Sequence, residues 1–356
     1  MNSNATVSLD MEMEGVVENK NFDEQKGVQS ILHDIKEGKV PASKKPLDLK
    51  GVFLAGEDLS GMDLSGVDFS GADLTGINLS GARLFKATFK NAVLINANLN
   101  DCELTGADLT EANLENASAS RVGLGMACLK GARMFRAHME GATLSKADLS
   151  QADMRCVNLN NARIREADLS GSDFTGADLR AVDLALCNVS KATFKNADMR
   201  DARLRAIEGF EKASWIGVDI RDINFAGAYR MRRCVVEQNY LKEFREISRF
   251  SEVVYWLWWI TSDCGRSLAR WCVWITLQLL IFAALFSYVG VDYGDYPTTI
   301  SPLYYSVVTL TTLGYGDIVP VSSAGQIIAM IEVFLGYIML GGLLSIFSNK
   351  MARRGD

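Results

Sequence analysis

The feature that most constrains this chain is a period of five. From Leu49 to Leu204 every fifth residue is large and apolar. Leu54, Leu59, Leu64, Phe69, Leu74 and Leu79 open the series; Phe174, Leu179, Leu184, Val189, Phe194 and Met199 lead to its close. The one clear lapse is Ala119. Two positions before these residues sit small or modest side chains, such as Ala72, Ala82, Ala87, Ala92, Ala97, Cys102, Ala107 and Ala112. This spacing matches neither a helix nor a flat strand. It matches a chain that turns a corner every five residues, so that four sides close a square coil of twenty. The large residue and its small partner both point inward, because so narrow a core cannot hold two bulky groups per side. Stacked coils pair their backbones at about 4.8 Å, so roughly eight coils make a rod of about 40 Å.

The twenty-residue coil predicts which side chains stack. Phe69 should lie under Phe89, Phe174 under Phe194, and Asn78 under Asn98 as an amide ladder. Asp63, Arg83 and Glu103 should form a ladder of alternating charge, as should Arg163, Asp183 and Arg203. After Leu204 the register breaks; it resumes at Ile220 and Phe225 and ends near Tyr229.

The stretches Gly71–Thr75 (GADLT) and Glu166–Ser170 (EADLS) resemble the pentapeptide-repeat family, whose pattern is A(D/N)LxX. The resemblance covers about half the chain and implies a right-handed quadrilateral β-helix. It implies no activity, since a fold does not carry one. A solenoid needs covered ends. Val28, Ile31, Leu32 and Ile35, followed by Gly38, read as a short amphipathic capping helix within an acidic segment 1–46.

The rest of the chain differs in kind. Between Trp271 and Asn349 there is no Lys or Arg. Residues 271–289 and 326–347 are each apolar and long enough to cross a bilayer as a helix. Arg266 and Arg270 precede the first, and Lys350, Arg353 and Arg354 follow the second; the connecting loop carries only the acids Asp292, Asp295 and Asp317. By the positive-inside rule both termini face the cytosol, and so does the solenoid. The polar, acidic start is not a cleavable signal peptide, and no regulatory domain is expected after Phe347.

Between the spans, residues 302–311 read as a short helix opening at Pro302. Thr312, Leu313, Gly314, Tyr315, Gly316 and Asp317 follow. Non-helical backbone at membrane depth is tolerated where it lines a polar cavity. Glycines there permit the dihedral angles that turn successive carbonyls toward one axis. With the order helix, re-entrant helix, TTLGYGD and helix, the last 85 or so residues closely resemble the pore of two-transmembrane potassium channels. The resemblance implies a homotetramer whose K+ ions are held at Thr312, Leu313, Gly314 and Tyr315, with no organic cofactor.

Two positions depart from that pattern: Leu313 stands where Val is commonest, and Val308 stands where some relatives have a Glu paired with the filter Asp. Asp317 is therefore expected to bond Tyr304 or Tyr305, with Thr311 also supporting the filter. Gly336 is either the inner-helix hinge or a close-packing glycine. Glu332, ionisable within a span, is either a bond to the back of the pore helix, which helical phase favours, or a cavity group.

Residues 230–268 read as a basic linker leading into VVYWLWWI at 253–260, too short to span and suited to the membrane surface near anionic lipid. The domains expected are thus 1–46, 47–229, 230–268 and 269–356. No arginine-rich voltage sensor is present. With only His33 and His138, scattered cysteines and no nucleotide or metalloprotease motif, an enzyme is not expected. Alternatives are a less selective cation channel, or a membrane-tethered scaffold whose solenoid binds a cytosolic protein or ligand. Nucleic-acid mimicry is disfavoured because the repeat region's charge is nearly balanced.

Overall fold

A computed structural model of the chain describes residues 48–223, 229–294 and 297–352. The expected N-terminal capping helix and Phe225 lie outside the described residues. The chain divides into two compact units between Tyr240 and Leu241, and each is taken by itself.

In the first unit the five-residue period becomes four flat sides. Each side contributes one parallel bridge to the coil above it, from Asp48 with Asp68 through Asp183 with Arg203, always twenty residues on. The coil-to-coil bonds are regular: the Leu104 amide donates to the Gly123 carbonyl at 2.7 Å, and the Glu103 amide to the Ala82 carbonyl at 3.0 Å. Corners take left-handed backbone. They are glycine from Gly51 to Gly81, and mostly larger residues from Lys86 onward. The large residues and their small partners form one continuous core. Ala119 keeps its inward place at 2 % exposure, between Leu99 below and Met139 above, whose flexible side chain suits an underfilled layer.

The stacks form as expected. Phe69 and Phe89 have ring centroids 5.1 Å apart, as do Phe174 and Phe194. The Asn98 amide donates to Asn78 Oδ1 at 3.0 Å. The charge ladders stack along the backbone, Asp63 with Arg83 and Arg83 with Glu103, but among the described residues no direct ion pair joins their side chains. Asp63 accepts instead from Ser65, and Glu103 from Thr105. The cation near Asp183 is Arg165, at 3.8 Å, and not Arg163 or Arg203. A carboxylate beside a corner reaches the amide two residues on at no cost in chain extension, and this local bond outcompetes an exposed ion pair. Where the residue two on is arginine, both are satisfied: Arg180, Arg200 and Arg221 grip Asp178, Asp198 and Asp219 with two nitrogens each.

The register break is a single inserted residue. Thr193 pairs with Ser214 and Asp198 with Asp219, now twenty-one residues on. The extra residue is absorbed at Gly209 and a short 3-10 turn, Phe210–Lys212. Gly209 has φ of 72°, and a Cβ there would lie 2.0 Å from Ser190 Oγ, so only glycine fits. The core series therefore resumes at Trp215, earlier than Ile220, with its ring stacked 4.5 Å from Phe194. Helix α1 (Tyr229–Glu246) then covers the last coil. Met231 and Val235 join the solenoid core. Gln238 accepts from the Trp215 amide and donates to the Ala213 carbonyl; Asn239 accepts from the Gly217 amide and donates to the Trp215 carbonyl. The open backbone edge that would otherwise invite pairing is thus closed by side chains.

The second unit is helical. Helix α2 (Arg249–Ser262) opens on a capping box of Ser248 and Ser251. Helix α3 (Leu268–Tyr288) and helix α5 (Ser323–Ala352) are the long apolar pair, and α4 (Ser301–Leu310) lies between them in sequence. Leu268–Tyr288 and Ser323–Ser348 have the length and composition of membrane spans. A two-residue ladder, β1 (Val291–Asp292) with β2 (Val319–Pro320), ties the segment after α3 to the segment before α5.

Candidate functional site

The site is built on α4. Pro302 occupies its first turn, where a missing amide costs nothing. Tyr305, Ser306 and Val308 are buried. Tyr305 packs edge-on against Phe286 of α3, with centroids 4.7 Å apart. Thr311 closes the helix, its hydroxyl donating to the Val307 carbonyl at 2.7 Å. The next two amides return to the same helix end: Thr312 to the Thr309 carbonyl and Leu313 to the Val308 carbonyl. The chain leaving α4 is therefore anchored at its root.

Beyond that root, handedness alternates. Thr312, Gly314 and Gly316 have φ of 57°, 52° and 79°, and Leu313 and Tyr315 between them do not share the positive sign. The sign of φ thus changes at each residue from Thr312 to Gly316. Glycine enters the left-handed region without strain; Thr312 does so at a cost, offset in part by its hydroxyl bond to the Thr311 carbonyl at 2.7 Å. The segment's side chains are open in the single chain, with Leu313 57 % and Tyr315 68 % exposed.

The supporting residues sort themselves. The Tyr304 hydroxyl donates to Asp317 Oδ2 at 2.9 Å. Of the two tyrosines expected to bond Asp317, Tyr304 does so, while Tyr305 is committed to Phe286. Glu332 is fully buried in α5 and accepts from the Ser306 hydroxyl on the back of α4. The same hydroxyl lies 3.2 Å from the Leu279 carbonyl of α3, so three helices meet at one serine. The second Glu332 oxygen has no partner among the described residues. Gly336 faces the end of α4, where a Cβ would stand 2.5 Å from the Leu310 carbonyl oxygen. Gly336 thus meets a close-packing requirement that any larger residue would violate.

Sequence reasoning missed Ser306, although it occurs in the same short helix, and Trp271, whose indole N–H donates to the Met339 carbonyl of α5 at 2.7 Å.

Comparison with known proteins agrees with both halves. The ion channel family model matches residues 273–353, and the pentapeptide repeat model matches in eight copies between residues 48 and 206. Two-pore potassium channel 1 of Arabidopsis thaliana is 38 % identical over 97 residues, covering 27 % of each chain. The A-type voltage-gated potassium channel KCND3 of Rattus norvegicus is 28 % identical over 108 residues, covering 30 % of this chain and 16 % of that one. The chain thus spans about a quarter or less of the length of these relatives. Among solved structures, the pentapeptide-repeat protein HetL of the cyanobacterium Nostoc is 25 % identical, covering 55 % of this chain and 94 % of that one, with a TM-score of 0.22. The ion channel model and the potassium channel relatives point to a channel and not to an enzyme. Residues 48–206 thus match the pentapeptide-repeat family, and residues 273–353 match an ion channel family, with potassium channels among the similar proteins.

Proposed function

We propose that the chain is one subunit of a homotetrameric, potassium-selective channel. The observation that carries this is the alternation of φ sign from Thr312 to Gly316 at the end of an anchored short helix. Such a segment offers a row of carbonyls on one side. Four copies around an axis make stacked rings that replace the hydration shell of K+ at Thr312, Leu313, Gly314 and Tyr315. One chain supplies one row, so a ring needs several chains.

Around that row the supports have separate tasks. Tyr304 restrains Asp317 at the outer mouth, and Thr311 ends the pore helix. Glu332, through Ser306, fastens the back of that helix to both spans and is a structural group, not a cavity group. Gly336 serves close packing. In the cell membrane Arg266, Arg270 and Lys350 face the cytosol, as do both termini. Helix α2 lies on the inner leaflet: Phe250, Val253, Trp256, Leu257 and Trp259 are exposed apolar groups, and Arg249 is a basic residue at its start. The solenoid is the cytosolic regulatory or interaction module. Its many paired charges argue against a nucleic-acid partner.

Purified full-length protein in liposomes tests the reading. A potassium gradient should drive flux that sodium cannot replace, and equal fluxes would refute selectivity. Deleting residues 1–229 tests the solenoid's role. Tetramers should persist and conduct with an altered open probability; loss of tetramers would make the solenoid an assembly element.

A further inference from the structure

Beyond Gly336, α5 is met by the Trp271 side chain of α3. The Trp271 indole sits against α5 at Gly342, where a Cβ would stand 2.2 Å from Cζ2 and 2.8 Å from Cε2. Its N–H donates to the Met339 carbonyl at 2.7 Å. That carbonyl sits inside a continuous helix and has a helical partner of its own, so the indole uses its second lone pair. A contact that needs both a glycine at 342 and a ring donor at 271 is specific, not generic apolar packing. Trp271 is buried, although its neighbours Val273 and Trp274 are exposed.

The other end of this contact leads to α2. Trp274, one turn on from Trp271, directs its indole N–H at the Ile260 carbonyl in the last turn of α2, at 3.4 Å. The connection between α2 and α3 is a stiff elbow. Asp263, Cys264 and Gly265 all have left-handed φ, of 54°, 54° and 80°. Buried Ser262 donates to the Trp258 carbonyl, accepts from the Gly265 amide, and its carbonyl accepts from Ser267. Ser267 in turn caps α3. A displacement of α2 therefore cannot be absorbed in a slack loop; it turns the first turn of α3, where Trp271 sits.

We propose that Trp271 is a latch coupling the α2–α3 elbow to the part of α5 beyond Gly336, so that movement of α2 is felt at the inner helix. On the channel reading, that is the part of α5 placed to gate, and Gly336 marks where it departs from the pore helix. The latch touches none of Thr312 to Gly316, so it acts on opening and not on ion choice.

Single-channel recording of the full chain in planar bilayers tests this with Trp271→Phe, which keeps a ring and removes the donor, and Gly342→Ala, which expels the ring. Both should shift the open-to-closed ratio in the same direction, by about fivefold per subunit for the loss of one hydrogen bond. Unitary conductance and the potassium-to-sodium permeability ratio should stay unchanged. An unaltered ratio in both variants, shifts of opposite direction, or a changed permeability ratio would overturn the proposal. A wild-type chain that carries no potassium current would refute the channel reading instead. The latch is then read directly by hydrogen exchange: the α5 amides beyond Gly336 should exchange faster in Trp271→Phe than in wild type, and equal exchange would overturn it.

Discussion

Leu104→Lys tests the register of the solenoid at a single core position. Leu104 is 1 % exposed, in a column with Leu84 below and Leu124 above, both also buried. Removing its side chain forfeits about 2–5 kcal/mol, the usual cost of truncating a buried leucine. Lysine adds the desolvation of an ammonium group inside the apolar core of the solenoid, at several kcal/mol more. The neighbouring Thr105 points outward beside the Glu103 carboxylate, so Thr105→Lys gains an anion and should change stability by less than about 1 kcal/mol. Each coil touches only its neighbours, so the damage should centre on coils 84–123. Hydrogen exchange of the full chain in detergent is the assay. The amides of Leu84, Leu104 and Glu103, which bridge coils, should lose protection in Leu104→Lys and keep it in Thr105→Lys. Equal loss in both variants would refute the inward assignment.

Further outcomes follow from the solenoid and the pore. Burial pushes the thiols of Cys102 and Cys187 up to about 12, so at pH 8 a thiol reagent should label exposed Cys156 and leave these two intact until the solenoid unfolds. The Arg221 guanidinium, with the Arg221 amide, holds the Asp219 carboxyl at about 2, below its ordinary value of 3.8. Its stabilising contribution is therefore complete above pH 4 and is lost as pH falls toward 2, and Arg221→Ala should flatten that dependence in the last coil. Gly314→Ala forces a side chain into left-handed backbone at φ of 52° and should abolish potassium flux while leaving the assembled protein intact by size-exclusion chromatography.

Much of this architecture was legible because it repeats. Each core position recurs every five residues, so even Ala119 did not obscure the pattern, and the stacking of Phe174 on Phe194 followed from arithmetic. Trp215 was hidden by one inserted residue at Gly209, which shifts the phase; the pairing of Ala213 with Trp215, small then large two positions apart, was the available signal. The covering of the last coil was not legible, because Gln238 and Asn239 act through side-chain hydrogen bonds that impose no period. In the second unit, the two long apolar helices and the short helix before the TTLGYGD stretch were legible from apolar length and from Pro302. The choice between Tyr304 and Tyr305 was not, since adjacent helical residues point about 100° apart and only tertiary placement decides which meets Asp317. Contacts such as Trp271 with Met339 join residues remote in sequence, and no local pattern records them.

Asp63 and Glu103 show a different limit. The sequence predicts which residues stack, and the backbone obeys, but each carboxylate then chooses between a neighbour in its own coil and a charge in the next. Ser65 and Thr105 are nearer, and at an exposed surface the ion pair offers too little to compete. Where arginine lies two positions on, as at Arg200 beside Asp198, local bonding and charge pairing coincide, with Asp219 of the next coil 3.8 Å from the same guanidinium.

The most direct test of the central claim is the reversal potential of purified full-length protein in a planar bilayer, with potassium on one side and sodium on the other. A carbonyl-lined filter at Thr312 to Gly316 predicts a potential displaced in the direction of potassium permeation by about 59 mV for each tenfold of selectivity. A reversal potential at zero, with current carried equally by both ions, would contradict the account.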